Sequence, residues 1–229
     1  MNPIGVVICN YNKKDFVLQC VQSVLESKEK NFDIYVVDNA SSDGSAEALK
    51  KAYGNRITVI ENKENLGGSG GFNTGLRIVR DKGYSYFMCL DDDAAVDENA
   101  LSVLYHYMEE HTDTGMAGCR VYHTQMPDYI QQSGLLIDFD NCTAKTIGAD
   151  MPEDGSLPDV IECDTVATCA VMVRADTVKQ KGVGIMPEDN FIYWDDMEWG
   201  YRIKLAGYRV VTLAEAKALH QMGANTKKE

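Results

Sequence analysis

The chain has 229 residues, with 22 lysines and arginines against 35 aspartates and glutamates, for a formal charge of −13. That balance excludes a broadly basic nucleic-acid binder, which neutralises phosphate charge with its own cations. A hydrophobic fraction of 45% with 25% charged residues is ordinary globular composition and argues against disorder.

Taken in order, the chain opens with the apolar run Ile4–Cys9, far shorter than the roughly 20 residues that cross a bilayer. Neither a signal peptide nor a transmembrane helix is read, and a cytoplasmic location is expected. Phe16, Val17, Cys20, Val21, Val24 and Leu25 recur at helical spacing and predict a helix over Asp15–Glu26. A strand at Ile34–Val37, a helix near Ala46–Tyr53, a strand at Ile57–Glu61, a helix through Phe72–Val79 and a strand at Tyr84–Leu90 follow. This alternation implies a parallel sheet with ligands at the carboxyl ends of its strands. Runs such as Val6-Val7-Ile8 lack polar alternation, as expected where helices cover both faces.

The second half is less regular. Leu101–Glu110 reads as a helix and Met116–Tyr122 as a strand, while His123 to Cys163 is rich in Asp, Gly, Pro and Thr and reads as hairpins and loops. Thr165–Val173 predicts a strand, Asp195–Leu205 a helix closed by Gly207, and Arg209–Leu213 a further strand. No repeat or linker divides the chain, so one α/β domain spanning 1–229 is expected. The seven cysteines form no C-x-x-C pair and mostly sit in apolar runs, which predicts reduced core thiols.

Polar clusters directly follow four of the strands: Asn10-Tyr11-Asn12, Asp38 to Ser45, Asn62 to Asn73, and Asp91-Asp92-Asp93. Four such clusters along one sheet edge describe a pocket. Asn39, Ser41 and Asp43 also fit plain turn chemistry. Asp38, ending a buried strand, is suited to accept a hydrogen bond from a base imide N–H. Three consecutive aspartates repel one another unless a cation sits between them. In an extended segment Asp91 and Asp93 share a face, so the pair can hold one Mg²⁺ or Mn²⁺ while Asp92 points elsewhere; a solvated acidic turn is the alternative.

The glycine-rich stretch Asn65 to Gly75 lacks the third glycine of a dinucleotide fingerprint, because counting from Gly68 and Gly70 reaches Asn73, and it follows the third strand instead of the first. It reads equally as a close backbone approach to a phosphate and as a tight structural turn. Trp194-Asp195-Asp196-Met197-Glu198 places carboxylates at a helix start beside aromatic rings. These fit either capping or a general base next to a stacked sugar. His220, after the strand-like Arg209–Leu213 and Ala216–Leu219, fits either a metal nitrogen or a structural role.

In order and content these segments resemble the inverting glycosyltransferases of family 2, from about Ile4 to His220. Phe191 to Glu198 followed by His220 looks most like the galactofuranosyltransferases, with rhamnosyltransferases next. The resemblance implies the GT-A fold, a Rossmann-like, mostly parallel central sheet flanked by helices, with an irregular acceptor-side second half. Residues 1–95 would form the nucleotide-sugar half and 96–229 the acceptor half. It implies Asp91, Asp93 and His220 as ligands of Mn²⁺ or Mg²⁺, Asp38 on uracil and Asp92 at the ribose. Asn10, Asn12, Asn65 and Gly67 complete the donor-side candidates. Asp196 matches the catalytic base, with Asp195 beside it, and Trp194 and Glu198 fall on the acceptor side.

The implied activity is transfer of a hexosyl group from a nucleotide-sugar donor, galactofuranose from UDP-galactofuranose foremost, to a hydroxyl of a glycan or lipid-linked glycan in cell-surface polysaccharide synthesis. A dTDP-rhamnose donor and a catalytically silent nucleotide-binding module are the alternatives. Nucleic acid is not an expected partner. The sequence begins at the first strand and Lys227-Lys228-Glu229 reads more like a cut helix than a natural end, so either a compact transferase or a truncated catalytic domain is expected, with any peripheral docking at the inner face of the plasma membrane residing in parts beyond it.

Overall fold

The computed structural model describes residues 3–221; Lys227, Lys228 and Glu229 lie outside them. The amino-terminal half runs β1 (Ile4–Asn10), α1 (Lys14–Glu26), β2 (Phe32–Asp38), α2 (Ser45–Tyr53), β3 (Thr58–Glu61), α3 (Gly67–Lys82), β4 (Tyr86–Asp91) and β5 (Ala94–Val96). The rest is α4 (Ala100–Glu110), β6 (Thr114–His123), β7 (Met126–Gln132), β8 (Leu135–Asp138), β9 (Thr143–Thr146), β10 (Val160–Glu162), β11 (Ala170–Arg174), α5 (Asp195–Leu205) and β12 (Arg209–His220).

Strands from both halves join one sheet in the order β10-β12-β6-β11-β4-β1-β2-β3, with β5 added to β12 and β7 to β6; β8 and β9 form a separate hairpin. As the alternation predicts, β3, β2, β1 and β4 are parallel. The sheet as a whole is mixed, because β11 lies antiparallel between β4 and β6. Val6 and Ile8 pack with Val17, Val21 and Leu104 on one face, and Val7 packs with Leu76, Val79 and Trp199 on the other. Burial on both faces explains the absence of polar alternation. No helix among the described residues is long and apolar enough to cross a membrane.

Several expectations change. Gly67 to Gly71 are the first residues of α3 and not a loop. A Cβ on Gly71 would lie 2.4 Å from Cys9 Sγ, and one on Gly75 would lie 2.4 Å from Val7 Cγ1, so these glycines let the helix settle onto β1. The strand expected over Thr165–Val173 forms only from Ala170; Thr165 Oγ1 instead donates to the Asp196 carbonyl at 2.7 Å. Arg209–Leu213 and Ala216–Leu219 are a single strand, irregular against β6 between Leu213 and Lys217. Cys142 is exposed in the β8–β9 turn and is no core thiol.

Candidate active site

The register sets the site. Asn10 pairs with Asp38 across β1 and β2, and Cys9 with Asp91 across β1 and β4, so these carboxyl ends lie level. From the far side β12 arrives antiparallel to β5 and sets His220 opposite Ala94, with the Gln221 N–H donating to the Asp93 carbonyl at 3.2 Å.

Asp91, Asp93 and His220 thereby converge, each offering one ligand atom within 4.8 Å of the others. His220 Nε2 lies 3.2 Å from Asp93 Oδ1 and 3.7 Å from Asp91 Oδ2. Two carboxylate oxygens and an imidazole nitrogen form a donor set suited to a divalent cation with open positions. Asp92 points elsewhere, accepting the Tyr11 N–H at 3.0 Å and lying 3.1 Å from Lys13 Nζ.

Burial pushes the Asp92 carboxyl up to about 7, against the opposing pull of Lys13 and the Tyr11 N–H. Burial also raises Asp91, although the His220 charge opposes it. At Asp93 burial is outweighed by the hydrogen bond and charge of His220 and by Lys13, so its carboxyl is held below the ordinary carboxylate range.

On the donor side, Asp38 is buried; its Oδ1 accepts from Asn10 Nδ2 at 2.8 Å and its Oδ2 from the Ser41 N–H at 3.0 Å. Each oxygen keeps a second lone pair. Asn10 Oδ1 is buried with no partner among the described residues. Asn12, at φ 54°, ties the loops together, its N–H donating to Ser41 Oγ at 2.9 Å and its Oδ1 accepting the Ser42 N–H at 2.7 Å. Asn65 and Gly67 are committed within the chain: Asn65 Oδ1 accepts from Asn39 Nδ2 and from the Gly67 N–H, each at 2.9 Å. The Gly68 N–H donates to the Phe191 carbonyl at 2.8 Å, so the first two amides of α3 are turned inward and not toward a phosphate.

Asp195 and Asp196 open α5. The two residues before them, Tyr193 and Trp194, both take left-handed backbone conformations, at φ 70° and 68°. Such conformations are costly for bulky residues and persist where surroundings enforce them. Here the preceding segment, residues 186–190, is pinned to α3, with Asn73 Nδ2 donating to the Met186 carbonyl and to Glu188 Oε1, each at 2.7 Å, and Ser69 Oγ to the Asn190 carbonyl at 2.9 Å. Asp195 is buried, while Trp194 stands 54% exposed beside exposed Phe191 and Tyr193. Burial, then the neighbouring Asp195 charge, pushes the Asp196 carboxyl up to about 7. Glu198 pairs with Arg202 one turn along α5.

The sequence reading missed Lys13, whose Nζ lies 2.6 Å from Asp93 Oδ2 although its signal, a lysine directly after the Asn10-Tyr11-Asn12 cluster, was present. It also missed Gln131, on β7 in the stretch read as hairpins and loops. A cavity of about 360 Å³ bordered by Asp97, Tyr122, Asp128, Glu153 and Lys217 includes none of the predicted site residues.

Residues 5–172 match the model of glycosyl transferase family 2. A teichoic acid poly(glycerol phosphate) polymerase of Staphylococcus epidermidis is 27% identical over 146 residues, 62% of this chain and 19% of that protein. The Escherichia coli UDP-Glc:alpha-D-GlcNAc-diphosphoundecaprenol beta-1,3-glucosyltransferase WfaP is 30% identical over 109 residues, 48% of this chain and 42% of WfaP. The matches thus span less than half of either relative.

Among solved structures, residues 1–349 of S. aureus TarS in complex with UDP-GlcNAc superpose with TM-score 0.70 at 15% identity, covering 99% of this chain and 61% of that one. The Pyrobaculum calidifontis mannosyltransferase PcManGT, in complex with GDP-Man and Mn²⁺, superposes with TM-score 0.71 at 15% identity, covering 98% and 58%. At these identities the likeness is one of fold, and the fold is GT-A. With the family model matched over most of its length, the chain belongs to the glycosyltransferases of family 2.

Proposed function

We propose that this chain transfers a hexosyl group, with inversion, from a nucleotide-sugar donor to a hydroxyl of a glycan or lipid-linked glycan in cell-surface polysaccharide synthesis, at the inner face of the plasma membrane. The observation that carries the reading is the convergence of Asp91, Asp93 and His220 at the carboxyl edge of the sheet that also ends in Asp38. The TarS complexes contain UDP and UDP-GlcNAc, which supports a uridine diphosphate sugar. The resemblance of the Phe191 to Glu198 segment points to galactofuranose as the sugar.

Asp91, Asp93 and His220 would hold a divalent cation, Mn²⁺ or Mg²⁺. When bound there, such a cation neutralises the negative charge that develops on a departing diphosphate. Lys13, adjoining the same carboxylates, contributes a second positive charge to that region. Asp38 and Asn10 offer acceptors to the base, and exposed Trp194 offers a ring face to an acceptor sugar.

With its carboxyl pushed to about 7, Asp196 is half ionised near neutral pH and suited to take the acceptor hydroxyl's proton. The new bond forms from that oxygen to the anomeric carbon as the bond from the anomeric carbon to the diphosphate oxygen breaks on the opposite face. Asp195, adjacent in the chain, keeps the local charge negative and raises its neighbour's basicity. Holding donor and acceptor in line supplies much of the rate.

Calorimetry with UDP in Mn²⁺ and in chelator tests the metal-dependent donor site, which fails if affinity is equal in both and Asp93→Ala changes neither. Transfer from UDP-galactofuranose that is lost in Asp196→Asn while UDP affinity is retained supports the reading. Turnover of dTDP-rhamnose in its place assigns the other donor, and UDP binding without turnover of any donor leaves a nucleotide-binding module.

A further inference from the structure

We propose that Gln131 is a positioning residue for His220, fixing the imidazole so that Nε2 presents its lone pair to the Asp91–Asp93 cluster. The inference rests on the reading of that cluster as a divalent-cation site. Gln131 is 6% exposed and makes two contacts with the same histidine. Its Nε2 donates to the His220 backbone carbonyl at 3.2 Å, and its Oε1 lies 2.7 Å from His220 Nδ1.

A carbonyl only accepts, so the first contact settles which end of the amide faces the backbone. The amide oxygen is thereby turned to the ring, and since it too only accepts, Nδ1 must carry the hydrogen. With the Nδ1 hydrogen held by Gln131, the lone pair a cation would take is that of Nε2, the nitrogen that faces Asp93 Oδ1 at 3.2 Å and Asp91 Oδ2 at 3.7 Å. Ligating histidines elsewhere are held in this manner through their second nitrogen, and losing the outer partner weakens metal binding by about 10–100-fold.

The backbone explains how a residue two strands away reaches the site. In the β6–β7 ladder Val121 pairs with Gln132 and Tyr122 with Ile130, so Gln131 is an extra residue opposite none. That is a β-bulge, a device that re-aims a side chain. From it the Gln131 side chain crosses β6 to His220, the last residue of β12.

The test titrates Mn²⁺ alone into the full chain, reading free Mn²⁺ by electron paramagnetic resonance, with thermal melting as the folding control. Gln131→Ala is expected to weaken Mn²⁺ binding about 10–100-fold. Gln131→Glu keeps an acceptor for Nδ1–H but loses the donor to the His220 carbonyl, so it should restore only part of that loss. In a His220→Ala background Gln131→Ala should change nothing further, because its partner is gone. Wild-type affinity in Gln131→Ala beside weakened binding in His220→Ala overturns the positioning role, and so does an equal loss from Gln131→Ala in both backgrounds, which marks general support of β7. If His220→Ala and Asp93→Ala both bind Mn²⁺ as wild type does, the cation site itself is wrong and the proposal falls with it.

Discussion

The ammonium of Lys13 lies 2.6 Å from Asp93 Oδ2, while His220 Nε2 lies 3.2 Å from the other oxygen of that carboxylate, Oδ1. One carboxylate thus joins a residue that holds positive charge permanently to one that can give its nitrogen to a metal. Lys13 adds positive charge where a cation would bind, so removing it should help the cation and hinder the diphosphate. Two unit charges about 4 Å apart interact by roughly 4 kcal/mol at an effective dielectric of about 20, before screening. Lys13→Met is therefore expected to tighten Mn²⁺ binding by about tenfold or more and to weaken UDP binding, both read by titration. Unchanged Mn²⁺ affinity would show that the lysine charge is not felt at the site.

The second prediction concerns pH. A general base works only when ionised, so with Asp196 at about 7 the transfer rate should rise about tenfold per pH unit below that value and level off above it. Burial and then the Asp195 charge raise this carboxyl. Asp195→Asn removes the second cause and should move the rising limb to lower pH. A limb that stays in place in Asp195→Asn would contradict the coupling.

A third prediction separates space from backbone conformation. Gly71→Ala drives a Cβ to 2.4 Å from Cys9 Sγ and 3.0 Å from Asn39 Nδ2, and overpacking of this kind costs about 1–3 kcal/mol. A methyl on Gly44, at φ 81°, would meet nothing within 4 Å, so Gly44→Ala carries only conformational strain of about 1 kcal/mol. Urea denaturation should rank Gly71→Ala below Gly44→Ala in stability, and UDP affinity should suffer only in the former, where Asn39 is displaced.

The fourth prediction tests a buried arginine. Arg120, 2% exposed, lies 3.0 Å from Glu153 Oε2, which also accepts the Tyr122 hydroxyl at 2.6 Å. The Tyr122 hydrogen bond and, against the pull of burial, Arg120 hold the Glu153 carboxyl below its ordinary range. A carboxyl lowered by folding adds stability above its unfolded value and loses it as pH falls through the folded one. Glu153→Ala should cost about 2–3 kcal/mol at neutral pH, the worth of hydrogen bonds to a charged group, and the difference from wild type should shrink in acid. A pH-independent difference in denaturant melts would rule out the charge as its source.

How much of this was legible in sequence depended on how local each constraint is. The strands β1, β2 and β4 announced themselves because a strand buried on both faces has little choice but an apolar run without polar alternation, as in Val6-Val7-Ile8 and Tyr86 to Leu90. Asp91 and Asp93 do converge, but not through the two-residue period of an extended segment: β4 ends at Asp91, and Asp92 and Asp93 lie in the turn that leads to β5. The glycine run was ambiguous because close packing of a helix on a strand and close approach to a ligand ask for the same residue; only the positions of Cys9 and Val7 decide between them. Asn65 looked like a pocket residue and Asn39 like either a pocket or a turn residue; the two bond to each other and to Gly67, and Asn39 Oδ1 also accepts from Asn62 and Leu66. Gln131 had no local signal, since its contact with His220 spans 89 residues and depends on a bulge that no short pattern predicts.

The sheet order has a consequence for assembly during synthesis. Among the described residues, both β5 and β10 find their only strand partner in β12, which is made after either. Until Arg209–His220 is inserted, two strands wait with unpaired backbone edges, and Asp91 and Asp93 face each other without their nitrogen donor. Closing such distant pairings is the slow part of folding. The same late strand therefore completes the pairing of β5 and β10 and brings His220 to Asp91 and Asp93.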